Sequence, residues 1–371
     1  MIPFNKPFVP EASKQYVLEA LESSHQQGDG PFTAKASKMI SDLVGGGHVL
    51  LTPSCTHALE MASMLANIGP GDEVILPSYT FTSAATAITK FGANPVFVDI
   101  EMNTKCINVN QVREAITPKT KAISWVNYAG VAPDIEGLQS LAKEFNLLLI
   151  EDNAHGLGGS YKGKPLGSFG DFATQSFHAT KNIQCGEGGA LVINNPKYIE
   201  RAEIIREKGT DRSRFIRGEI QKYQWVDLGS SYLLADALAG VLVGQLQMFE
   251  PIQANRREIF ERYKENFLSS DFTLQFTREN DEHTSHMFYV ALDSIDARES
   301  LRQHLLDSGI QATFHYQSLA HSKKGLEYRP GQSSFSNSAE MSNRLLRMPL
   351  YFNLSSLEQE KVIAAVKSFS F

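Results

Sequence analysis

The chain is expected to be an α/β protein, with a mostly parallel sheet covered on both faces by helices and a smaller C-terminal α/β domain. Three observations predict it. From His48 to Phe177, short apolar runs alternate with helix-length stretches at the spacing of strand–helix–strand units. The runs are short and apolar, as the strands of a sheet buried on both faces are. Beyond about residue 232 the character changes, first to a long helix-favouring stretch and then to a shorter mixture of both patterns.

Taken in order, residues 48–51, 73–76, 95–98, 122–126 and 147–150 read as buried strands, and 172–177 is a further strand-like run. Residues 58–66, 83–91, 109–116 and 135–145 read as the helices between them. Residues 189–193 form another apolar run that returns to the sheet. The polar stretch 209–224, with Arg212, Arg214 and Arg217, is read as a surface loop. Residues 232–267 are read as a connecting helix, broken or kinked near Pro251, where a ring replaces an N–H donor. The C-terminal part offers strands at 287–292 and 313–316 and helices at 297–308, 341–347 and 356–368. The division is placed between 1–231, an N-terminal segment with a large domain, and 232–371, the connecting helix with a small domain.

The chain has 371 residues, 42% hydrophobic and 20% charged, the balance of a soluble globular protein. Its formal charge of -6 and the lack of any basic run argue against a nucleic-acid surface. No apolar run is long enough to span a bilayer, and residues 1–7 lack the apolar core of a signal peptide. Cys55, Cys106 and Cys185 are scattered, without a disulfide framework or a metal-binding spacing, which points to a reducing cytoplasm and to no metal.

The chemistry concentrates around Lys181. In isolation a lysine is most often a solvated surface charge. This one lies between the strand-like run 172–177 and the cluster Gly186-Glu187-Gly188-Gly189, where backbone approaches a ligand closely. A lysine beside cationic or apolar groups loses its proton more readily and can then condense with an aldehyde. Asp152 ends the run 147–150, at the carboxyl end of a parallel strand, where open α/β sheets bind ligands. It would hold a pyridine nitrogen protonated; the alternative is a helix N-cap ahead of Asn153. Glu151 points to the opposite face of the strand and is the weaker candidate. Ser54, Cys55 and Thr56 open a helix after the first strand, so their segment is either a phosphate cradle or an ordinary N-cap. Ser176 is placed to add a hydroxyl to the same phosphate. In Pro77-Ser78-Tyr79-Thr80-Phe81 an aromatic beyond a strand end either stacks on a ring or fills the core, and His155 either faces that ring or satisfies a loop. Lysine, aspartate and small donors together are what pyridoxal 5′-phosphate (PLP) requires.

With these motifs the chain resembles the sugar-nucleotide aminotransferases of the DegT/StrS family. The resemblance runs from Ile2-Pro3-Phe4-Asn5 to the C-terminal helices and rests on Thr52-Pro53-Ser54-Cys55-Thr56, Pro77-Ser78-Tyr79-Thr80-Phe81, Glu151-Asp152, Ser176 to Asn182 and Gly186 to Gly189. It implies the fold type I PLP-dependent transferase architecture (aspartate aminotransferase-like), with a seven-stranded type of sheet. Gly28-Asp29-Gly30, Arg206 to Thr210, Leu228 to Tyr232 and Phe314-His315-Tyr316 are most similar to one branch, the dTDP-4-amino-4,6-dideoxygalactose transaminases.

By that resemblance Lys181 would carry the cofactor's aldehyde carbon and Asp152 would pair with its ring nitrogen. Phe81 would stack on the ring, with Ala154 and His155 on its other side. Ser54, Cys55, Thr56 and Ser176 would hold the phosphate, and Ser230 and Ser231 of a neighbouring subunit would complete that site. Many relatives carry an asparagine where this chain has those serines. Asn5, Tyr79, His315 and Tyr316 would contact the substrate. Lys6, Arg212 and Arg214 are read as surface charges, with contact to a diphosphate as the alternative. The branch has a histidine before Tyr128-Ala129-Gly130 where this chain has Asn127. The implied reaction moves an amino group from L-glutamate to a dTDP-linked 4-keto-6-deoxyhexose, in a cytoplasmic homodimer serving O-antigen or enterobacterial common antigen. The alternatives are a C3 or gluco-configured C4 aminotransferase, a PLP-dependent sugar dehydratase, and a regulatory homologue without turnover. Dehydratases replace the lysine with histidine, and the pairing of Lys181 with Asp152 speaks against both of the last two.

Overall fold

The computed structural model describes residues 1–268, 272–279, 281–328 and 334–369. Its centre is a seven-stranded sheet of β1 (His48–Thr52), β2 (Glu73–Pro77), β3 (Asn94–Val98), β4 (Thr120–Val126), β5 (Leu148–Asp152), β6 (Phe172–Ser176) and β7 (Gly189–Ile193). The spatial order is β1-β7-β6-β5-β4-β2-β3. Only β7 runs against the rest, pairing antiparallel with both β1 and β6. The other strands point their carboxyl ends to one edge of the sheet, which is the edge that open α/β sheets use for ligands. Apolar faces on both sides bury the sheet: Leu50, Val74, Leu76 and Ile150 on one, Ile75, Ile123, Trp125 and Leu149 on the other.

Local signals explain the helix ends. Ser54 accepts from the His57 N–H and starts the helix Cys55–Leu65, whose Ala58, Leu59, Ala62 and Leu65 pack on the sheet. Asp134 caps the helix Ile135–Phe145, and Asn146 ends it in the left-handed conformation that asparagine tolerates. The stretch read as one connecting helix is two, Asp236–Gln247 and Phe249–Phe267, preceded by non-helical chain at 232–235. The break falls at Met248, so Pro251 sits in the first turn of the second helix, where a missing N–H costs no helical bond.

A four-stranded antiparallel sheet follows: β8 (Thr273–Leu274), β9 (Phe288–Ala291), β10 (Thr313–Phe314) and β11 (Leu345–Met348), in the order β8-β9-β11-β10. Here the sequence reading fails once. Residues 341–347, read as a helix, divide into the end of the helix Ser336–Arg344 and the strand β11. The segment is rich in helix-favouring Leu, Arg and Met. Pairing on both edges and full burial of Leu345 and Leu346 override that weak preference. The stretch read as a surface loop at 209–224 also contains a short helix, Arg212–Ile216.

Candidate active site

At the carboxyl edge of the seven-stranded sheet lies a cavity of about 600 Å³. β5 delivers Asp152, β6 delivers Ser176, and the loop from β6 to β7 carries Lys181 back over the sheet edge. The loop is held at both ends. The Lys181 N–H donates to the His178 carbonyl at 2.8 Å, and Ala179 N–H donates to Gly186 O at 2.8 Å. Gly186 turns there with φ +83, a conformation that glycine adopts without a Cβ clash. Asn182, the next residue, donates to Gln253 Oε1 and Thr284 O, both at 2.8 Å. Burial pushes the Lys181 ammonium down to about 8, with the nearby Cys55 and Asp152 opposing the shift and Arg347 adding to it.

Asp152 is buried, and desolvation raises its carboxyl above the usual range, against the Ala154 N–H and the Lys181 charge. Its Oδ1 accepts from that N–H at 3.1 Å, forming a local turn in place of a helix cap. The Cys55 thiol lies 4.0 Å from Oδ1 and 3.4 Å from the Thr174 hydroxyl, and burial raises it too. The Cys55 side chain therefore stands at the carboxylate end of the cavity, so a phosphate role for this residue falls to its backbone. Among the described residues nothing accepts from the Cys55 and Thr56 N–H groups in the first turn of their helix. The Ser54 hydroxyl is occupied as the cap and by His57 Nδ1 at 3.2 Å. Thr56 Oγ1 lies 2.7 Å from Ser83 Oγ, a second hydroxyl on the cavity wall that the sequence reading missed.

Phe81, Ala154, His155, His315 and Tyr316 also line the cavity. Phe81 is 55% exposed and leans towards Tyr316, with ring centroids 5.9 Å apart. His155 is buried and held well below its usual pKa by desolvation. Its Nδ1 accepts from Ala129 N–H at 3.3 Å, so the proton of the neutral ring sits on Nε2, 3.4 Å from the Tyr316 hydroxyl. His286, which the sequence reading missed, stacks on His155 with centroids 4.4 Å apart. Arg347, on β11, closes another part of the wall and was hidden by the helix reading of its segment.

Other expected residues lie elsewhere. Tyr79 is fully buried and donates its hydroxyl to the His315 carbonyl, so it supports the wall from behind. Asn5 donates to Ala179 O at 3.1 Å and lines a small neighbouring pocket that Lys181 also borders. Lys6 borders that pocket, while Arg212 and Arg214 pair with Glu207 and with Glu200 and Glu219 away from the cavity. Ser230 and Ser231 are exposed and line no part of this chain's cavity. Glu151 is buried in a structural role, accepting from Gly167 N–H at 2.7 Å, Phe169 N–H at 3.0 Å and Asn127 Nδ2 at 2.8 Å.

Asn127 itself is fully buried and outside the cavity. It accepts from Trp125 Nε1 at 3.1 Å and donates to Glu151 and to Asn153 Oδ1 at 2.8 Å each. An Asn127→Ala variant takes a hydrogen-bond partner from three buried groups, Trp125 Nε1, Glu151 and Asn153 Oδ1, and is expected to lose about 2–4 kcal/mol in urea unfolding. A loss under about 1 kcal/mol would contradict this reading of the network.

The donor set fits PLP. Among the described residues, an acid with one uncommitted oxygen stands at one end, free N–H groups and hydroxyls at another, and a weakly basic amine borders both. A model described as the DegT/DnrJ/EryC1/StrS aminotransferase family matches residues 9–367. The chain belongs to this family. PLP is the cofactor of DegT/DnrJ/EryC1/StrS aminotransferases. The aminotransferase TlmJ from Streptoalloteichus hindustanus is 28% identical, with 99% of this chain and 98% of that one covered and a TM-score of 0.91. The putative sugar aminotransferase Spr1654 from Streptococcus pneumoniae, in its PMP form, is 28% identical over the same shares, with a TM-score of 0.92. Helicobacter pylori PseC, 24% identical over 99% of each chain with a TM-score of 0.89, shares the fold. With the mostly parallel sheet and the helices around it, these likenesses give the chain the fold type I architecture of PLP-dependent aminotransferases. Among the described residues no helix is long and apolar enough to cross a membrane, and no three His, Cys, Asp or Glu side chains gather as metal ligands.

Proposed function

We propose that this family member is a sugar-nucleotide aminotransferase that converts dTDP-4-keto-6-deoxy-D-glucose to dTDP-4-amino-4,6-dideoxy-D-galactose, with L-glutamate as donor. The observation that carries the chemistry is the meeting of Lys181 and Asp152 in one cavity at the carboxyl ends of the strands. A sugar acceptor is supported by the likeness to a protein described as a putative sugar aminotransferase. The choice of branch is supported by three branch-like segments that pack as one patch. Arg206 pairs with Asp29, Lys208 N–H donates to Ser230 O at 3.0 Å, and Ser230 N–H donates to Ile205 O at 3.1 Å.

PLP bound in the cavity supplies an aldehyde for amines and a ring that takes up the electron pair left when a C–H bond breaks. Lys181 Nζ would hold that aldehyde carbon, and it borders the cavity that the donor's amine would enter. As a free amine Lys181 would take the proton from the donor's α-carbon, and in the second half deliver one to the sugar carbon that receives nitrogen. Asp152 would keep the ring nitrogen protonated. Phe81 would cover one ring face, while Ala154 and the uncharged His155 would bound the other. Cys55 and Thr56 would hold the phosphate through their N–H groups, Thr56 and Ser176 would add hydroxyls, and Ser54 holds that turn in place. Asn5, His315 and Tyr316 meet the sugar nucleotide, with Tyr79 fixing His315 from behind. Ser230 and Ser231 act in the cavity of a second copy, in a homodimer. The chain divides at 231/232, and three free cysteines suit a cytoplasmic setting.

The test is product NMR after incubation with the ketosugar, PLP and glutamate. The galacto-configured C4 amine is expected; a C3 or gluco amine would overturn the assignment of product, and no amine the assignment of substrate. A second expectation follows from Lys181, whose amine is mostly uncharged only above about pH 8. The loading rate of cofactor-stripped protein with PLP should climb about tenfold per pH unit below that point and level off above it. A climb continuing towards the ordinary lysine value of 10.5 would contradict the buried, weakened base.

A further inference from the structure

The loop carrying His155 follows β5, and the loop carrying Lys181 follows β6. A third segment, Thr284-Ser285-His286, leads into β9 and ties the two together. Thr284 Oγ1 donates to His155 O at 2.9 Å, and Thr284 O accepts from Asn182 Nδ2 at 2.8 Å. The segment is itself pinned, because Arg256 donates from Nε to Ser285 O at 3.2 Å and from Nη2 to His286 O at 2.7 Å. The buried His286 side chain repeats both ties. Its Nδ1 lies 2.9 Å from Asn182 Oδ1, and its ring stacks on His155 with centroids 4.4 Å apart and planes 24° from parallel. The direction of the first contact is fixed. Asn182 Nδ2 donates to Thr284 O, a carbonyl oxygen that can only accept, so it is Oδ1 that faces His286, and Oδ1 too can only accept. His286 Nδ1 therefore carries the proton. Burial, then His155 and the Lys181 charge, holds this ring well below its usual pKa, so it is neutral and its Nε2 keeps a lone pair. With His155 and Asn182, His286 and Lys181 also line a second, smaller cavity of about 20 Å³.

We propose that His286 is a positioning residue: its Nδ1–H holds Asn182 and so keeps Lys181 aimed into the cavity, and its ring fixes the tilt of His155 on the cavity wall. The inference rests on the roles given above to Lys181 and His155. One edge of the imidazole serves the amine and one face serves the wall, so the two contacts can be broken separately. Each is a single weak interaction, a side-chain hydrogen bond or an aromatic stack, worth about 3- to 10-fold in a rate or an affinity.

The experiment uses the full chain stripped of cofactor, as wild type, His286→Asn, His286→Phe, Asn182→Ala and the last two combined, each checked for a cooperative thermal transition. Asparagine keeps a donor at the place of Nδ1 and loses the ring. Phenylalanine keeps a ring and loses the donor. Two probes separate the contacts. The rate of PLP loading reads the reach of Lys181. Equilibrium binding of pyridoxine 5′-phosphate, which has no aldehyde for an amine to meet, reads the ring and phosphate site alone. His286→Phe should load PLP about 3- to 10-fold more slowly than wild type, while binding pyridoxine 5′-phosphate as wild type does. His286→Asn should show the reverse, loading within about twofold of wild type and binding pyridoxine 5′-phosphate about 3- to 10-fold more weakly. Asn182→Ala breaks the same tie from its other end, so it should load at least as slowly as His286→Phe, and adding His286→Phe to it should slow loading no further. Loading at the wild-type rate in His286→Phe, or additive losses in the combined variant, would overturn the tie to Asn182. Unchanged pyridoxine 5′-phosphate binding in His286→Asn would overturn the role of the stack. If His286→Phe lacks a cooperative transition, Asn182→Ala carries the first reading, and wild-type loading there is the contradicting result. Wild type in which borohydride fixes PLP on a lysine other than Lys181 would overturn the assignment beneath the proposal and the proposal with it, whereas the other results overturn the proposal alone.

Discussion

Replacing Lys181 with alanine is expected to abolish amino transfer, with kcat/KM falling by at least about 10⁴ because the base and the amine that holds the cofactor are lost together. Fold loss is not expected, since the Lys181 side chain makes no ion pair among the described residues and the loop is held by its backbone and by Asn182. Lys181→Arg separates charge from basicity. It keeps a cation beside Asp152 but cannot give up its proton, so it should be nearly as inactive as alanine. Stopped-flow measurement of the glutamate half-reaction and a melting curve check both variants. Turnover within about tenfold of wild type in either would remove Lys181 from the chemistry.

Replacing Asp152 with asparagine is expected to have the second-largest effect. The carboxylate is buried, and among the described residues only Oδ1 is engaged, by Ala154 N–H and more distantly by the Cys55 thiol. Its second oxygen is left for a protonated ring nitrogen. The amide has no charge with which to hold that proton, and removing one partner of a buried charge pair costs about 3–5 kcal/mol. The expected result is a drop of about 10²–10⁴ in the rate of the first half-reaction, with weaker cofactor retention and an intact fold. Because burial disfavours the charged form of Asp152 in the cofactor-stripped protein, the variant should be no less stable than wild type when both are stripped. A half-reaction rate within about threefold of wild type would contradict the assigned role.

The sequence disclosed most of the sheet because its strands are short apolar runs separated by helices with local stop and start signals. The helix Ile135–Phe145 is the clearest instance: Asp134 caps it and Asn146 ends it, so its bounds are written in adjacent residues. The helix Ser356–Ser368 begins at a full capping box of Ser355 and Glu358, and was legible for the same reason. β11 was not, because nothing within residues 341–348 favours a strand; its conformation comes from the two strands it pairs with, far away in sequence. That miss also concealed Arg347, since a residue within a supposed helix gave no hint of a cavity wall. Lys181, Asp152 and Ser176 were legible because strand ends and glycine clusters place side chains at the sheet edge. Tyr79 and Asn127 sit beside the same edge, yet their polar groups are consumed by neighbours that only the folded chain brings near: the His315 carbonyl for one, and Trp125, Glu151 and Asn153 for the other.

The central claim is that one amine, Lys181 Nζ, carries the PLP aldehyde carbon. Borohydride reduction of the PLP-loaded protein, followed by proteolysis and mass spectrometry, tests it most directly. The account predicts a single stably modified peptide containing Lys181, and none from enzyme treated with glutamate before reduction. Modification of a different lysine with Lys181 untouched, or no modification of a fully loaded protein, would contradict it.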